Sequence, residues 1–302
     1  MTQPLIKQLC VIGVGLIGGS LARALKDAGV VGTIIGAGRD SAHLDKAKSL
    51  GVIDRYETDI QSAVKDCDMV VLAVPLGAMQ SVFEQIAPVM TNDMVITDVG
   101  SAKASVITAA ENAFKKIPET LIPGHPIAGT EKSGVEASFA ELFQQRRVIL
   151  TPLESSSKTA TDKVRMMWQA CGAEVVETTI GHHDEVLAAT SHLPHMLAYS
   201  LVDTLARMDD KAEIFDFAAG GFRDFTRIAS SDPAMWHDIC LANSKALVMM
   251  IKKFSDDLQR LSDAIESNDS NYLKETFERA KKARDEFCAS QGKPGHLNDS
   301  IE

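Results

Sequence analysis

A short apolar segment, a set of closely spaced glycines and a helical segment follow one another near the start of the chain. Residues 9–29 read LCVI, then GVGLIGGS, then LARALKDAG. This order of strand, GxGxxG turn and helix is typical of dinucleotide-binding βαβ units and is far more specific than the glycine spacing alone. Gly13 permits the tight turn, Gly15 lets the backbone approach a pyrophosphate, and Gly18 allows close helix–strand packing. The opening segment therefore predicts a parallel α/β sheet.

Strand and helix signals alternate through the first half of the chain. Mostly apolar runs predict further strands at 33–35, 68–75, 94–98, 120–123, 147–150 and 174–176, and the helical stretches between them include 77–87, 103–116 and 157–171. This alternation predicts a Rossmann-type, doubly wound α/β sheet, in which a ligand binds beyond the carboxyl ends of the strands. The predicted cofactor contacts are Gly13, Gly15, Leu16, Ile17, Gly18, Arg39, Val74 and Pro75.

The turn after the second predicted strand bears on the choice of cofactor. An acid there commonly binds the ribose 2′-hydroxyl of NAD, whereas an arginine suits the 2′-phosphate of NADP. Residues 36–40 read GAGRD, so glycine stands at the expected acid position and Arg39 follows it. We therefore predict NADP. Asp40 keeps NAD open as the alternative if the turn is one residue longer.

A polar segment, GHPIAGTEKSG at residues 124–134, follows a predicted strand. Its glycines and its proline predict a loop, with neither helix nor strand. Four of its side chains can handle a proton or an anion, namely His125, Thr130, Glu131 and Lys132. Polar loops at the ligand edge of a sheet commonly hold functional residues. An exposed turn with incidental charges is the alternative, and it is a sufficient explanation for Lys132.

The second half of the chain has a helical pattern. Strand signals stop near residue 179, and apolar residues recur at helical spacing over 184–208, where Pro194 interrupts them. Two more amphipathic helices are predicted at 240–265 and 271–288, with apolar faces broad enough for a homodimer interface. We predict a dinucleotide-binding domain at 1–178, a helical substrate and dimerisation domain at 179–291, and a frayed tail at 292–302.

Charge and cysteine content exclude several classes of protein. The net charge of the 302 residues is −10, which disfavours nucleic acid and anionic membrane surfaces as partners. No apolar run reaches the length of a membrane span. His192 and His195 are three residues apart, but no third ligand stands at a suitable spacing, so no metal is predicted. The five cysteines are scattered and odd in number, which indicates reduced thiols and a cytoplasmic location.

Five motifs, in order along the chain, resemble those of the prephenate/arogenate (cyclohexadienyl) dehydrogenase family. They are GVGLIGGS at 13–20, DVGSAK at 98–103, GHPIAGTEKSG at 124–134, TSHLPH at 190–195 and GGFRDFTRIASSDPAMW at 220–236. The resemblance implies NAD(P)-dependent oxidative decarboxylation of prephenate, arogenate or both in tyrosine biosynthesis. A hydride leaves ring carbon C4 for the nicotinamide, the C4 hydroxyl loses its proton, and the ring carboxylate departs as CO2.

The resemblance also implies roles for single residues. His125 matches the family's catalytic base, and Ser101 matches a serine that hydrogen-bonds the same hydroxyl. For Ser101 the alternative is a cap on the helix predicted at 103–116. Arg227 matches the family's substrate arginine, whose guanidinium suits a carboxylate. The other expected substrate contacts are His195, Thr130, Glu131, Asp184 and Trp236, and Trp236 comes from its own subunit or from a partner. For Asp184 and Trp236, packing or capping is the alternative.

Two other functions stay open on the sequence alone. A β-hydroxyacid or imine-type reductase also joins a nucleotide domain to a helical dimerising domain, but the chain lacks the GxxGxGxxxK pattern of those enzymes. A non-catalytic NAD(P)-binding sensor would need only the glycine turn. The presence of Ser101, His125 and Arg227 in one chain therefore favours an enzyme.

Overall fold

A computed structural model describes residues 3–130 and 132–291, so Glu131 and the predicted tail at 292–302 lie outside the described residues. The strands are β1 (Ile6–Ile12), β2 (Val31–Ala37), β3 (Arg55–Glu57), β4 (Met69–Leu72), β5 (Val95–Asp98), β6 (Leu121–Ile122), β7 (Gly124–Pro126), β8 (Arg147–Leu150) and β9 (Glu174–Glu177). The helices are α1 (Leu16–Asp27), α2 (Ser41–Ser49), α3 (Ile60–Val64), α4 (Met79–Ile86), α5 (Lys103–Ala113), α6 (Lys158–Ala170), α7 (Ile180–Leu187), α8 (Leu193–Ala206), α9 (Lys211–Asp216), α10 (Gly220–Thr226), α11 (Pro233–Ala242), α12 (Ser244–Glu266) and α13 (Ser270–Gln291).

Six parallel strands form the main sheet, in the order β3-β2-β1-β4-β5-β6. Side chains of β1 alternate between two buried clusters, with Leu9 and Val11 in one and Cys10 and Ile12 in the other. Both faces of the sheet are therefore covered, as expected for a near-continuous apolar strand. The strand order reverses between β1 and β4, which is where such sheets bind a nucleotide. The predicted Rossmann-type sheet is confirmed.

The glycine turn between β1 and α1 has the shape that a dinucleotide needs. Gly13 has φ +92°, and a Cβ there would lie 2.4 Å from the carbonyl oxygen of Ala73. At Gly18 a Cβ would lie 2.3 Å from the carbonyl oxygen of Gly13. Nothing lies within 4 Å of a Cβ built on Gly15, and no side chain caps α1. The space above Gly15 and the free N–H groups of α1 therefore fit a pyrophosphate.

A second, smaller sheet departs from the prediction. The strands predicted at 147–150 and 174–176 do not extend the parallel sheet: β8 and β9 pair with each other, and β7 pairs antiparallel with β8. The prediction of a loop through 124–134 is therefore wrong for Gly124–Pro126. Pro126 is tolerated because β7 is an edge strand with β8 on one side only, so the missing N–H need not serve a second neighbour.

The predicted helix over 184–208 is present in two parts. α7 ends at Leu187, a π-helical turn spans Ala188–His192, and α8 begins at Leu193. Pro194 lies in the first turn of α8, directly after the π-helical turn, where the helical hydrogen-bond pattern changes and a missing N–H is accommodated. Over residues 3–130 and 132–291, no helix is long and apolar enough to cross a membrane.

Two compact units are found along the chain, one up to Leu247 and one from Val248 onward. The first contains both sheets and the helices α1 to α11. The second consists of most of α12 together with α13, which matches the two amphipathic helices predicted for this region. Every residue of the candidate site lies in the first unit.

Candidate active site

His125 lies in β7, with 8% of its surface exposed. Its Nδ1 is 2.9 Å from Nε2 of His183, and Nδ1 of His183 is 2.7 Å from Oδ1 of Asp184. All three side chains are buried. Strand β7 thus presents His125 with its Nδ1 already paired with His183.

The DVGSAK segment is hydrogen-bonded to Gly124, the residue just before His125. The ammonium of Lys103 donates to Oδ2 of Asp98 at 2.5 Å and to the carbonyl oxygen of Gly124 at 2.6 Å. The Gly124 amide donates to Oδ1 of Asp98 at 3.2 Å, and the Gly100 amide donates to Oδ2 at 2.7 Å. The side chains of Lys103 and Asp98 are both 0% exposed. This buried ion pair joins the end of β5 to β7.

Helix α5 is capped from another element of the fold. Its N-cap residue, Ala102, provides no side-chain hydrogen bond. Instead Oδ1 of Asp184 accepts from the Lys103 amide at 2.8 Å, and Oδ2 accepts from the Ala104 amide at 2.9 Å. The capping alternative for Ser101 is therefore wrong, and Ser101 is left half-buried at the start of α5. The capping alternative for Asp184 is found, because its carboxylate caps α5.

Burial sets the charge state of the site. Burial lowers the pKa of His125 well below its ordinary value, and the nearby positive charge of Lys103 lowers it further. Burial also acts to raise the pKa of Asp184, but the hydrogen bonds from His183 and the α5 amides outweigh it and hold that pKa below the usual value. At neutral pH the site therefore contains an uncharged His125 and an ionised Asp184.

A second polar cluster lies around Trp236 on α11. The rings of His195 and Trp236 stack at 3.7 Å between centroids, and His192 lies 6.0 Å from Trp236 in an edge arrangement. Trp236 thus packs on a histidine of its own chain. The positive charge of Arg227 also reaches His195, where it adds to burial in lowering the pKa of that ring.

Asn243 connects this cluster to Asp184. Its amide nitrogen donates to the carbonyl oxygen of Asp184 at 2.8 Å and lies 3.1 Å from Nδ1 of His192. Because that nitrogen is a donor, Nδ1 of His192 accepts, and its Nε2 carries the proton. Burial lowers the pKa of His192 to about 4, so the ring is neutral. Within the described part of the chain, neither His192 Nε2 nor Trp236 Nε1 has a hydrogen-bond partner.

The candidate cofactor edge lies at the ends of β1, β2 and β4. Val74 is half-buried and Pro75 is exposed just after β4, and the amide of Gly77 donates to Asp238 of α11 at 3.1 Å. Asp40 caps α2, since its Oδ1 accepts from the amides of Ala42 and His43 at 2.9 and 3.2 Å. Arg39 is exposed in the same turn.

The predicted site residues do not all meet at one point. His125 and Asp184 belong to one hydrogen-bonded group, whereas His195 and Trp236 meet as stacked rings in another cluster. Thr130 is exposed and its hydroxyl accepts from the Lys132 amide at 3.2 Å. Glu131 lies outside the described residues, and the roles assigned to single residues remain predictions.

Three polar residues of the site, His183, Asn243 and Lys103, were not predicted from the sequence. His183 stands beside the exposed His182, and nothing in the segment GHHD separates the two. Lys103 could have been identified from the sequence, because it is the last residue of the DVGSAK motif. A charged side chain inside a motif at the ligand edge could have been proposed as a buried partner of Asp98.

A parallel sheet with a glycine turn, and an uncharged histidine buried beyond its strand ends, define a nicotinamide-dependent dehydrogenase. Two family models extend this to a family: "Prephenate dehydrogenase, nucleotide-binding domain" matches residues 21–177, and "Prephenate dehydrogenase, dimerization domain" matches residues 180–279. The chain belongs to the prephenate dehydrogenase family. The resemblance in the motifs is confirmed, and the reductase alternative is set aside.

Individual relatives agree with this family. The chain is 40% identical to the cyclohexadienyl dehydrogenase of Zymomonas mobilis over 280 residues, which cover 92% of this chain and 95% of that protein. It is 35% identical to the prephenate dehydrogenase of Aquifex aeolicus solved with hydroxyphenyl propionate and NAD+, with a TM-score of 0.87 over 93% of this chain and 98% of that one. Against the arogenate dehydrogenase of Synechocystis the identity is 25% and the TM-score 0.78, over 93% and 99% of the two chains.

Proposed function

We propose that this protein oxidatively decarboxylates prephenate, L-arogenate or both, with hydride transfer to a nicotinamide cofactor, as a step towards tyrosine. The observation that carries the proposal is the buried, uncharged His125 at the ligand edge of a dinucleotide-binding sheet. Family membership supports it, as do relatives that are cyclohexadienyl, prephenate and arogenate dehydrogenases by name. A neutral imidazole near pH 7 is suited to accept the hydroxyl proton.

Different residues of the chain serve cofactor binding, proton transfer and hydrogen bonding to the substrate hydroxyl. Nicotinamide supplies the acceptor for the hydride that leaves C4. Gly15 and the amino end of α1 would hold the pyrophosphate, and Val74 and Pro75 would contribute to cofactor binding. His125 accepts the proton of the C4 hydroxyl, and Ser101 hydrogen-bonds that hydroxyl. Loss of CO2 then completes an aromatic ring.

Donor groups around Trp236 suit a substrate rich in oxygen atoms. His192 Nε2 and Trp236 Nε1 are buried donors without partners in the described chain, and burying an unpaired donor costs about 1–3 kcal/mol. Carboxylate and carbonyl oxygens of the substrate would satisfy them. We propose that Thr130, an exposed residue of the same segment as His125, shapes the pocket mouth, and that Glu131 contributes to substrate binding.

Steady-state kinetics with prephenate and arogenate, each with NAD and NADP, tests the proposed function. Reduced nicotinamide is followed by its absorbance, and release of CO2 is measured in parallel. We expect the two products in equal amounts with at least one substrate. A purified, folded protein that is inactive in all four combinations would contradict the proposal and favour the non-catalytic sensor.

NADP is the preferred cofactor in our proposal. The acid of the turn, Asp40, is used to cap α2, so the exposed Arg39 is the charged side chain of this turn left for a 2′-phosphate. Hydrogen bonds to charged groups contribute about 1.5–3 kcal/mol, so Arg39→Ser should lower kcat/KM for NADP about 10- to 100-fold. The value for NAD serves as the internal control and should stay unchanged. Equal losses with both cofactors, or a wild-type preference for NAD, would contradict this assignment.

Arg227 is proposed to bind a carboxylate of the substrate. Its charge already reaches His195, which stacks on Trp236. Arg227→Ala should raise KM for the substrate about 10- to 100-fold while changing kcat less, because the guanidinium holds a group that does not react at C4. Initial rates over a substrate series measure both constants. An unchanged KM would place the carboxylate site elsewhere.

The remaining proposals concern organisation. We propose a dinucleotide-binding domain at 1–178 and a helical substrate and dimerisation domain at 179–291, consistent with the two matched family domains. Homodimerisation would cover apolar side chains that α12 and α13 expose, such as Met249, Ile265 and Phe277. A single-chain mass in sedimentation equilibrium would contradict the dimer. We propose a cytoplasmic location, which cell fractionation tests.

A further inference from the structure

His183 is buried against His125 and has no part in the roles proposed above. Only 1% of its surface is exposed. Its Nε2 lies 2.9 Å from Nδ1 of His125, and its Nδ1 lies 2.7 Å from Oδ1 of Asp184. Both ring nitrogens thus have a partner, one on each side. Through these two hydrogen bonds, the fixed carboxylate of Asp184 orients His183, and His183 orients the ring of His125.

The hydrogen bonds fix which nitrogen of each ring carries a proton. Asp184 is ionised and therefore only accepts, and its two oxygens also accept from the amides of Lys103 and Ala104. Nδ1 of His183 must therefore donate to Asp184, and when the ring carries this one proton its Nε2 has a lone pair. That lone pair accepts from Nδ1 of His125. The outer nitrogen of His125, Nε2, is then the one free to accept a proton.

We propose that His183 is a positioning residue which, anchored by Asp184, holds His125 in the tautomer whose Nε2 acts as the base. This inference rests on the proposed role of His125 in the reaction. The hydroxyl proton of the substrate moves to Nε2 of His125, Nδ1 keeps its own proton, and His183 accepts a stronger hydrogen bond from the imidazolium. An orienting group behind a catalytic histidine has the same effect in hydrolytic triads.

Asp184, which anchors His183, is itself held by several hydrogen bonds. The carboxylate of Asp184 accepts from the first turn of α5, and its carbonyl oxygen accepts from Asn243. Lys103 at the start of that turn also binds the carbonyl oxygen of Gly124, next to His125. The base and its support are therefore joined by two routes. The charged and titratable groups that bear on His125 are Lys103, His183 and His192.

Two variants separate positioning from packing. In His183→Gln the amide reaches the place of the ring Nε2, so an oxygen can still accept from His125. In His183→Asn the shorter amide reaches only the place of Nδ1, so the bond to Asp184 is kept and the bond to His125 is lost. His182→Asn, on the exposed neighbour in α7, is the matched control.

Kinetics and nitrogen NMR test the proposal together. Mutation of groups that orient a metal-binding histidine commonly costs about 10- to 100-fold, and we expect a loss of kcat of that order in His183→Asn with KM nearly constant. The acid limb of its kcat/KM profile should move to lower pH, because the imidazolium of His125 loses an acceptor. His183→Gln should recover most of both properties, and His182→Asn should match the wild type. A kcat within twofold of wild type in His183→Asn would overturn the proposal.

The tautomer can be measured without any substrate, so this test does not depend on the proposed reaction. In ¹⁵N-labelled protein the signals of His125 are assigned by their loss in His125→Asn. We expect the Nδ1–H form in the wild type and a mixture with the Nε2–H form in His183→Asn. An Nε2–H form in the wild type would overturn the inference. If the tautomers behave as expected but neither prephenate nor arogenate is turned over, the proposed function fails and the positioning role does not.

Discussion

Replacing His125 with asparagine is expected to lower kcat about 10²- to 10⁴-fold, the usual contribution of a positioned general base. The asparagine amide can occupy the place of Nδ1 and donate to His183, but nothing then stands at the place of Nε2. The variant therefore removes the base and keeps the buried hydrogen bond. Cofactor affinity, measured by fluorescence titration, should not change, because the glycine turn is part of another segment. A near-normal kcat would refute the assignment.

The pH profile of the wild-type enzyme tests the same residue. The pKa of His125 is held well below its ordinary value by burial and by the charge of Lys103, so the ring is uncharged and able to act as a base throughout the neutral range. The logarithm of kcat/KM reports groups of the free enzyme, and its acid limb should therefore lie below about pH 6.5. In His125→Asn the residual activity should lack that limb. The exposed His182, changed to asparagine, should leave the profile as it is.

Local rules account for the parts of the fold that the sequence predicts well. The glycine turn is set by backbone sterics at Gly13 and Gly18, which act over a few residues and are readable from spacing. The buried strand β4 is a continuous apolar run and β1 ends in one at 9–12, which is how a strand covered on both faces is recognised. His125 and Ser101 could be singled out because they belong to motifs.

Pairings between distant segments account for what the sequence does not predict. Glycine and proline in β7 indicate a loop, and only the presence of β8, more than twenty residues later, makes this backbone an edge strand. The same holds for Asp184, whose carboxylate caps a helix that begins at Lys103. His182 and His183 are alike in sequence, and they differ because one side of α7 faces α5 while the other is exposed.

Replacing Lys103 with methionine is expected to destabilise the protein by about 3–5 kcal/mol, the usual cost of leaving one partner of a buried ion pair alone. Asp98 would keep the amides of Gly100 and Gly124 as donors but would lose its only cation in the described chain, at a site with 0% exposure. The carbonyl oxygen of Gly124 would also lose its donor. Denaturant unfolding followed by circular dichroism measures the loss. The matched control is Lys116→Met, in an exposed pair with Glu119, which should change stability by no more than about 1 kcal/mol.

The double variant Lys103→Met, Asp98→Asn separates charge burial from packing. If the single variant is unstable because a carboxylate is buried without a cation, removing that charge should restore part of the loss, and the two changes should not be additive. If the lysine chain matters only for the space it fills, the double variant should be at least as unstable as the single one.

The positive charge of Lys103 should also affect the pH profile of the enzyme, in a direction that can be stated in advance. Without the positive charge of Lys103 the pKa of His125 rises towards its ordinary value, although burial still holds it lower. Wherever the double variant is folded, the acid limb of kcat/KM should therefore move to higher pH, and an unmoved limb would show that the ammonium does not act on His125.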